Sequence, residues 1–145
     1  MPASLQLALF GRVALAAGLG YLIGVERQFR GKAAGDRTFA LLSMGAAALV
    51  GMAIELFPLS ADRVIQGVAT GVGFLGAGVI FRGSERPKGL TTAAAAWAAT
   101  AIGVLCGATL YLMAGLTAVL TIILLESISL PGVSWFEDET DQAPD

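Results

Sequence analysis

Residues 62–82 read DRVIQGVATGVGFLGAGVIFR, and the role given to their glycines decides the fold. Gly71-x-Gly73 followed by Gly76 resembles a nucleotide-binding loop, which would make the chain an α/β protein. Such a loop must follow a strand and open a helix, so that free amides point at the phosphate. These glycines instead lie inside an apolar run that Asp62 and Arg63 open and that ends at Phe81. A helix crossing a bilayer needs roughly 20 mostly apolar residues, and the run supplies them. Glycines in a membrane helix have a simpler use. Gly67 and Gly71 at GxxxG spacing, repeated by Gly73 and Ala77, let a neighbouring helix approach closely. A second reading stays open, in which Gly67, Gly71, Gly73, Phe74, Gly76 and Gly78 break the helix and unwound backbone forms a binding site.

Four further runs of the same kind surround this one. The first goes from about Leu5 to Val25, interrupted only by Arg12. The second goes from Thr38 to Leu56 and stops at Pro58, because proline lacks the amide hydrogen a helix needs. A fourth runs from Thr91 to about Cys106, and a fifth from Thr109 to Leu125 after a tight turn at Gly107 and Ala108. Of the 145 residues, 56% are hydrophobic and 14% charged, against about a quarter charged in soluble domains. Five spans use roughly 100 residues and leave only short connections. The expected architecture is therefore all-α, a polytopic integral membrane protein with a bundle of about five transmembrane helices. It comprises a transmembrane domain over residues 1–130 and an acidic, disordered tail over 131–145. A cleavable signal peptide is the competing reading of the first run, but no Lys or Arg precedes its apolar core. The fourth run is small-sided at Ala93 to Ala96, Ala98, Ala99, Ala101 and Gly103, which makes it the natural contact of the third, with Trp97 as its one bulky interruption.

Composition also removes whole classes of chemistry. The chain has no histidine, one cysteine (Cys106) and a formal net charge of -2. Disulfide frameworks, zinc clusters and His-based acid–base catalysis therefore lack their residues. No enzyme is expected, and a metal site would have oxygen ligands only. No basic excess is present to hold a nucleic-acid backbone, so nucleic acid is excluded as a partner.

The nine Lys and Arg residues set the orientation, because cytoplasmic loops are enriched in them. Arg27, Arg30, Lys32 and Arg37 lie between the first and second runs, and Arg82, Arg86 and Lys88 between the third and fourth. Both groups belong on one side, the cytoplasm. An odd number of spans then places the N-terminus outside and the tail inside.

Charges within the spans need a reason, since Arg at the centre of a membrane helix costs roughly 2.5 to 3.5 kcal/mol on the gentlest scale. Arg12 lies 14 residues before Glu26, roughly 21 Å along a helix, and so in the outer half of the membrane. Glu55 is at a similar depth. Either the two form an intramembrane ion pair, or Arg12 snorkels outward. The inner side is denser: Glu26-Arg27 ends the first helix, Asp36-Arg37-Thr38 opens the second, Arg82 ends the third and Thr91-Thr92 opens the fourth. Glu26 and Arg37 reach one depth, where they either form an interfacial pair or belong to a functional site, the reading favoured here. Thr38 or the Thr91-Thr92 pair would cap helix amides. Glu26 and Asp36 are the acids able to offer Mg2+ an oxygen site, so Mg2+ is the one candidate ligand. Interfacial capping and a ligand site both account for the cluster.

These residues carry a resemblance. Arg12 followed by Gly24-Val-Glu26-Arg27, then Gly35-Asp-Arg37-Thr38, then Gly71 to Arg82, then Gly89-Leu-Thr-Thr-Ala-Ala94 leading to Trp97, is similar to the MgtC/SapB family of bacterial inner-membrane proteins. The resemblance covers about Arg12 to Gly107. It implies a five-helix inner-membrane domain, a link to growth under magnesium limitation and, for virulence-associated members, survival in host cells and restraint of the F-type ATP synthase. It carries over to Glu26, Arg27, Arg37, Thr38, Arg82, Thr91 and Thr92. Two departures stand out. The better-known members continue into a cytosolic ACT-like domain that this sequence is expected to lack. Asp36 stands where the family has an apolar residue. Beside membrane lipid, the expected partner is another membrane protein or a second copy of the chain. The expected function is ion or magnesium homeostasis through such binding, the alternative a small ion transporter or channel with its site near the third helix.

Overall fold

A computed structural model describes residues 2–32, 34–80 and 89–127. Arg82, with the loop around it, and the acidic tail lie outside the described residues. Five α-helices follow one another: α1 (Ala3–Phe29), α2 (Asp36–Leu56), α3 (Ala61–Ile80), α4 (Leu90–Gly107) and α5 (Tyr111–Ser127). No strand occurs among the described residues. The chain is a multi-pass membrane protein of the all-α class. Four segments, α1, α2, α3 with its preceding turn, and α4, are long and apolar enough to span a bilayer, and α5 is a shorter apolar helix.

Each boundary has a local cause. Helix α1 continues one turn past Val25, because nothing in Glu26-Arg27-Gln28-Phe29 opposes helix. It closes in a Schellman motif, with Gly31 N–H donating to Gln28 O at 3.0 Å and Lys32 N–H to Arg27 O at 3.1 Å. Gly31 takes φ +63 there, the left-handed conformation that glycine adopts without penalty. Pro58 ends α2 and opens a three-residue 3-10 turn, Pro58–Ser60, that leads into α3. Helix α4 also ends in a Schellman motif, through Thr109 N–H to Cys106 O at 3.1 Å and Leu110 N–H to Leu105 O at 2.9 Å. The left-handed position is held here by a threonine, at φ +65.

Helices α1, α2 and α4 form the tight centre, with α3 docked on α4 and lightly on α2, and α5 docked on α4 and α1. In lipid, apolar side chains gain little by leaving the tails for another helix, so close backbone approach and interhelical hydrogen bonds hold the bundle. Small residues supply that approach. A Cβ at Gly20 would lie 2.5 Å from Phe39 O, one at Gly24 2.5 Å from Asp36 Cα, and one at Gly107 2.8 Å from Ala47 O. A Cβ at Gly103 would collide with Ser43 O. Ser43 Oγ, buried at this junction, donates to Ala99 O at 2.7 Å. Ala16, Ile23, Phe39 and Ile102 fill the seam and are wholly buried, as is the free Cys106.

The third helix departs from its expected role. Gly67, Gly71, Gly73 and Gly78 have no neighbouring atom within 4 Å of where a Cβ would stand. They do not pack α3 against α4. That contact runs instead through buried Val72 and Gly76, with a Cβ at Gly76 lying 3.6 Å from Ala93 Cβ. Helix α3 is also unbroken from Ala61 to Ile80, so the broken-helix site is not formed. The reason is helix rotation: Val72 and Gly76 turn to α4, whereas Gly67, Gly71, Phe74 and Gly78 share a different stripe of the same helix, which turns away from α4.

Candidate functional site

At the end of the bundle that carries the α1–α2 loop, the inner end in the expected orientation, the last turn of α1 gathers charge. Glu26 is nine-tenths buried, and Arg27 is buried to 2% exposure. The Arg27 Nη1 atom lies 3.5 Å from Glu26 Oε2, and Arg30 Nε lies 2.5 Å from Glu26 Oε1, one helical turn on. The Arg30 guanidinium also reaches Glu126 Oε2 on α5 at 2.6 Å. Four charges of balanced sign thus tie the ends of α1 and α5. The proximity is not well aligned everywhere: both Glu26 carboxylate oxygens and Arg27 Nε are buried without a hydrogen-bond partner among the described residues.

The interfacial Glu26–Arg37 pair, one of the two readings of these residues, is not formed among the described residues. Glu26 meets Arg27 and Arg30, while Arg37 stands exposed at the start of α2, its amide donating to Asp36 Oδ1 at 2.7 Å. Arg37 is the second residue of α2, next to Asp36, whose backbone is the one that faces Gly24 of α1, and its side chain is exposed. The threonine caps are not formed either. Gly35 and Gly89 are the N-caps of α2 and α4, and neither helix has a side-chain cap. Thr38 and Thr91 are exposed, and Thr92 is buried in the first turn of α4. Gln28, Gly35, Asp36, Arg37 and Thr38 line a small polar hollow of about 320 Å³ beside the charge cluster.

The donors here do not fit Mg2+. That ion wants near-octahedral oxygen geometry from one or two carboxylates and retained waters. Glu26 is already flanked by two guanidinium groups, at 2.5 and 3.5 Å, whose charge repels a divalent cation. Asp36 is engaged with the Arg37 amide. No group of three or more His, Cys, Asp or Glu is gathered among the described residues.

At the other end, the structure brings Arg12 and Glu55 together. Arg12 Nη2 lies 2.8 Å from Glu55 Oε1, and Arg12 Nη1 donates to Gly107 O at 3.3 Å. The guanidinium thus joins α1 to the last turns of α2 and α4, where exposed carbonyls favour a cation. Arg12 can do this without sitting at mid-membrane. With 27 residues, α1 is roughly 40 Å long, against a hydrocarbon core of about 30 Å. Its first turns therefore extend past the ends of its neighbours.

The third candidate region is the outer side of α3. Gly67, Gly71 and Gly78 lie on one stripe with Phe74, whose side chain is 80% exposed. Between α2 and α3 runs an apolar cavity of about 450 Å³, bordered by Gly45, Leu49, Gly67 and Gly71. Trp97, 54% exposed, borders the two cavities on the α4 side of α3. Sequence reading had missed Arg30 and Glu126 as site residues. The Glu26 to Arg30 spacing of four was a usable signal once α1 is extended, whereas the Glu126 contact, 96 residues from Arg30, left none.

Compared with known proteins, the chain matches the model of the MgtC family over residues 13–130. It is 48% identical over 89 residues to Protein MgtC of Salmonella typhimurium, a match covering 61% of this chain and 38% of the relative. It is 46% identical over 105 residues to Protein MgtC of Brucella abortus, covering 72% and 44%. The matches thus span less than half the length of these curated relatives. No solved structure matches the chain.

Proposed function

The chain belongs to the MgtC family, and on that premise we propose that it is a non-enzymatic protein of the bacterial inner membrane that supports adaptation to low magnesium by binding other membrane proteins. In this reading the N-terminus faces outward and the C-terminus the cytoplasm, an orientation supported by the basic residues gathered in two loops of one side. The observation that carries this reading is the glycine stripe of α3. In a membrane, small residues at helical spacing serve close helix contact, and the bundle makes its own close contacts elsewhere, at Gly20, Gly24, Gly103 and Gly107. The open stripe at Gly67, Gly71 and Gly78 is left for a helix from outside, another membrane protein or a second copy.

The test is Gly71→Leu in cells deprived of magnesium, with a photo-crosslinking residue at Phe74. Abundance and thermal stability in detergent stay near wild type, since nothing lies within 4 Å of the site, while the crosslinked partner and growth support are lost. Full growth support with unchanged crosslinks would overturn the reading. Ion transport is less well supported, because α3 is continuous and the α1, α2 and α4 seam is filled by wholly buried Ala16, Ile23, Phe39 and Ile102. Mg2+ flux by the purified protein in liposomes would reverse that preference.

A further inference from the structure

The open side of α3 carries a projection as well as a hollow. At about 3.6 residues per turn, Gly67, Gly71, Phe74 and Gly78 fall within about 60° of arc on one face of the helix. Phe74 lies at one margin of that arc, and its side chain is 80% exposed. Beyond the opposite margin lie Val64, Val68 and Leu75, which together with Gly67, Gly71 and, from α2, Gly45 wall the apolar cavity of about 450 Å³ between α2 and α3. The glycines of the arc have no atom within 4 Å of where a Cβ would stand. One face thus presents a ring, a flat strip and a hollow, in that order around the helix.

Depth matches as well. The cavity extends along α3 from Val64 to Leu75, and Phe74 falls inside that interval. A helical side chain leans toward the N-terminus of its own helix, which carries the ring toward the level of Gly71.

An exposed phenylalanine costs nothing in lipid, so its placement rather than its exposure selects the occupant. Copies of one chain enter a membrane the same way round, so a twofold axis relating two of them runs along the membrane normal and sets equal depths against each other. Rotation about an axis at the glycine strip brings one margin of the first copy opposite the other margin of the second. Each ring then meets the hollow of its partner, and the two glycine strips meet between them. A patch that complements itself in this way is what a closed twofold contact requires. A different protein would have to supply a bulky apolar side chain at this depth and on this side, whereas a second copy already has one in Phe74.

We propose that the chain forms a parallel twofold dimer through α3, with Phe74 of each copy seated in the α2–α3 cavity of the other. The dimer presupposes that the open face of α3 receives a helix, and it identifies that helix as α3 of a second copy.

The experiment uses the full chain in liposomes, where no other protein is present. Cys106→Ala removes the native thiol, Ser4→Cys carries a donor or an acceptor dye, and energy transfer is followed as the protein is diluted in lipid. The labelled chain shows a concentration-dependent dimer. Phe74→Ala removes the ring and Gly45→Leu fills the cavity, and each raises the dissociation constant about ten-fold, the loss of one well-packed anchor. Combined, the two recover most of the affinity, because the leucine occupies the space the ring has left. Phe10→Ala, at another exposed ring on α1, leaves the dimer unchanged. Gly45 and Phe74 are both open sites, so the thermal midpoints stay near wild type. Energy transfer that ignores both substitutions, or strict additivity in the double variant, would overturn this interface. No transfer at any dilution, with crosslinks from position 74 to a different protein in cells, would overturn the dimer and leave the helix-binding reading standing. Absence of both transfer and crosslinks would remove the two together.

Discussion

Gly103 and Gly71 are the same residue in the same kind of small-residue helix, yet their surroundings predict opposite responses to substitution. A Cβ at Gly103 meets the backbone carbonyl of Ser43, which cannot rotate away. Gly103→Ala should therefore cost about 1–3 kcal/mol, the usual penalty of overpacking, and lower the thermal midpoint in detergent. Gly71→Ala at an open site should leave the midpoint unchanged, and equal losses for both would show that the α2–α4 contact is misplaced. Arg12 and Glu55 are a second residue-level case. Removing either partner leaves the other partly buried and unpaired, so Arg12→Gln and Glu55→Gln should each cost about 2 kcal/mol. The double change should cost less than their sum, since both remove one contact. Strict additivity would mean the pair contributes nothing. The residue types and the depth of this pair were legible in the sequence. Its third partner, Gly107 O, was not, because a backbone carbonyl at a helix end carries no side-chain signal.

Helix existence was legible because each span must satisfy its own backbone within lipid, which leaves a long apolar run no alternative to helix. Helix ends were less so. Helix α1 runs to Phe29 rather than Val25, and α2 starts at Asp36 rather than Thr38. Polar residues near the interface continue a helix as readily as they end it, and the stop is set by Gly31. The extension of α1 is what placed Arg30 one turn on from Glu26. The α4–α5 turn supplies a prediction at this scale. Thr109 occupies the left-handed position that closes the α4 Schellman motif and that glycine prefers. Thr109→Gly should raise stability by about 1 kcal/mol through relief of backbone strain, read as an increase in thermal midpoint. A decrease would mean that the threonine side chain contributes more than its backbone costs.

For the whole molecule, the ends of α1 and α5 that carry Arg30 and Glu126 lie together, and α2 starts beside Gly24 of α1, so these three helix ends share one side of the membrane. With basic residues concentrated in the adjoining loops, reporter fusions at Ser4 and Asp145 should label opposite sides, the C-terminal one in the cytoplasm. Labelling of both on the same side would remove one span from the count. Membrane residence, the all-α class, the number of helices and the family were determined by the sequence alone. They follow from apolar run length, charge placement and ordered motifs, quantities local to the chain. Which small residues touch, which face of α3 is left open, and which of several arginines meets Glu26 were decided only by the tertiary structure. A glycine reads the same on any face of a helix, and a flexible arginine reaches any acid at its depth, so those choices depend on helix rotation and on the precise residue where each helix stops.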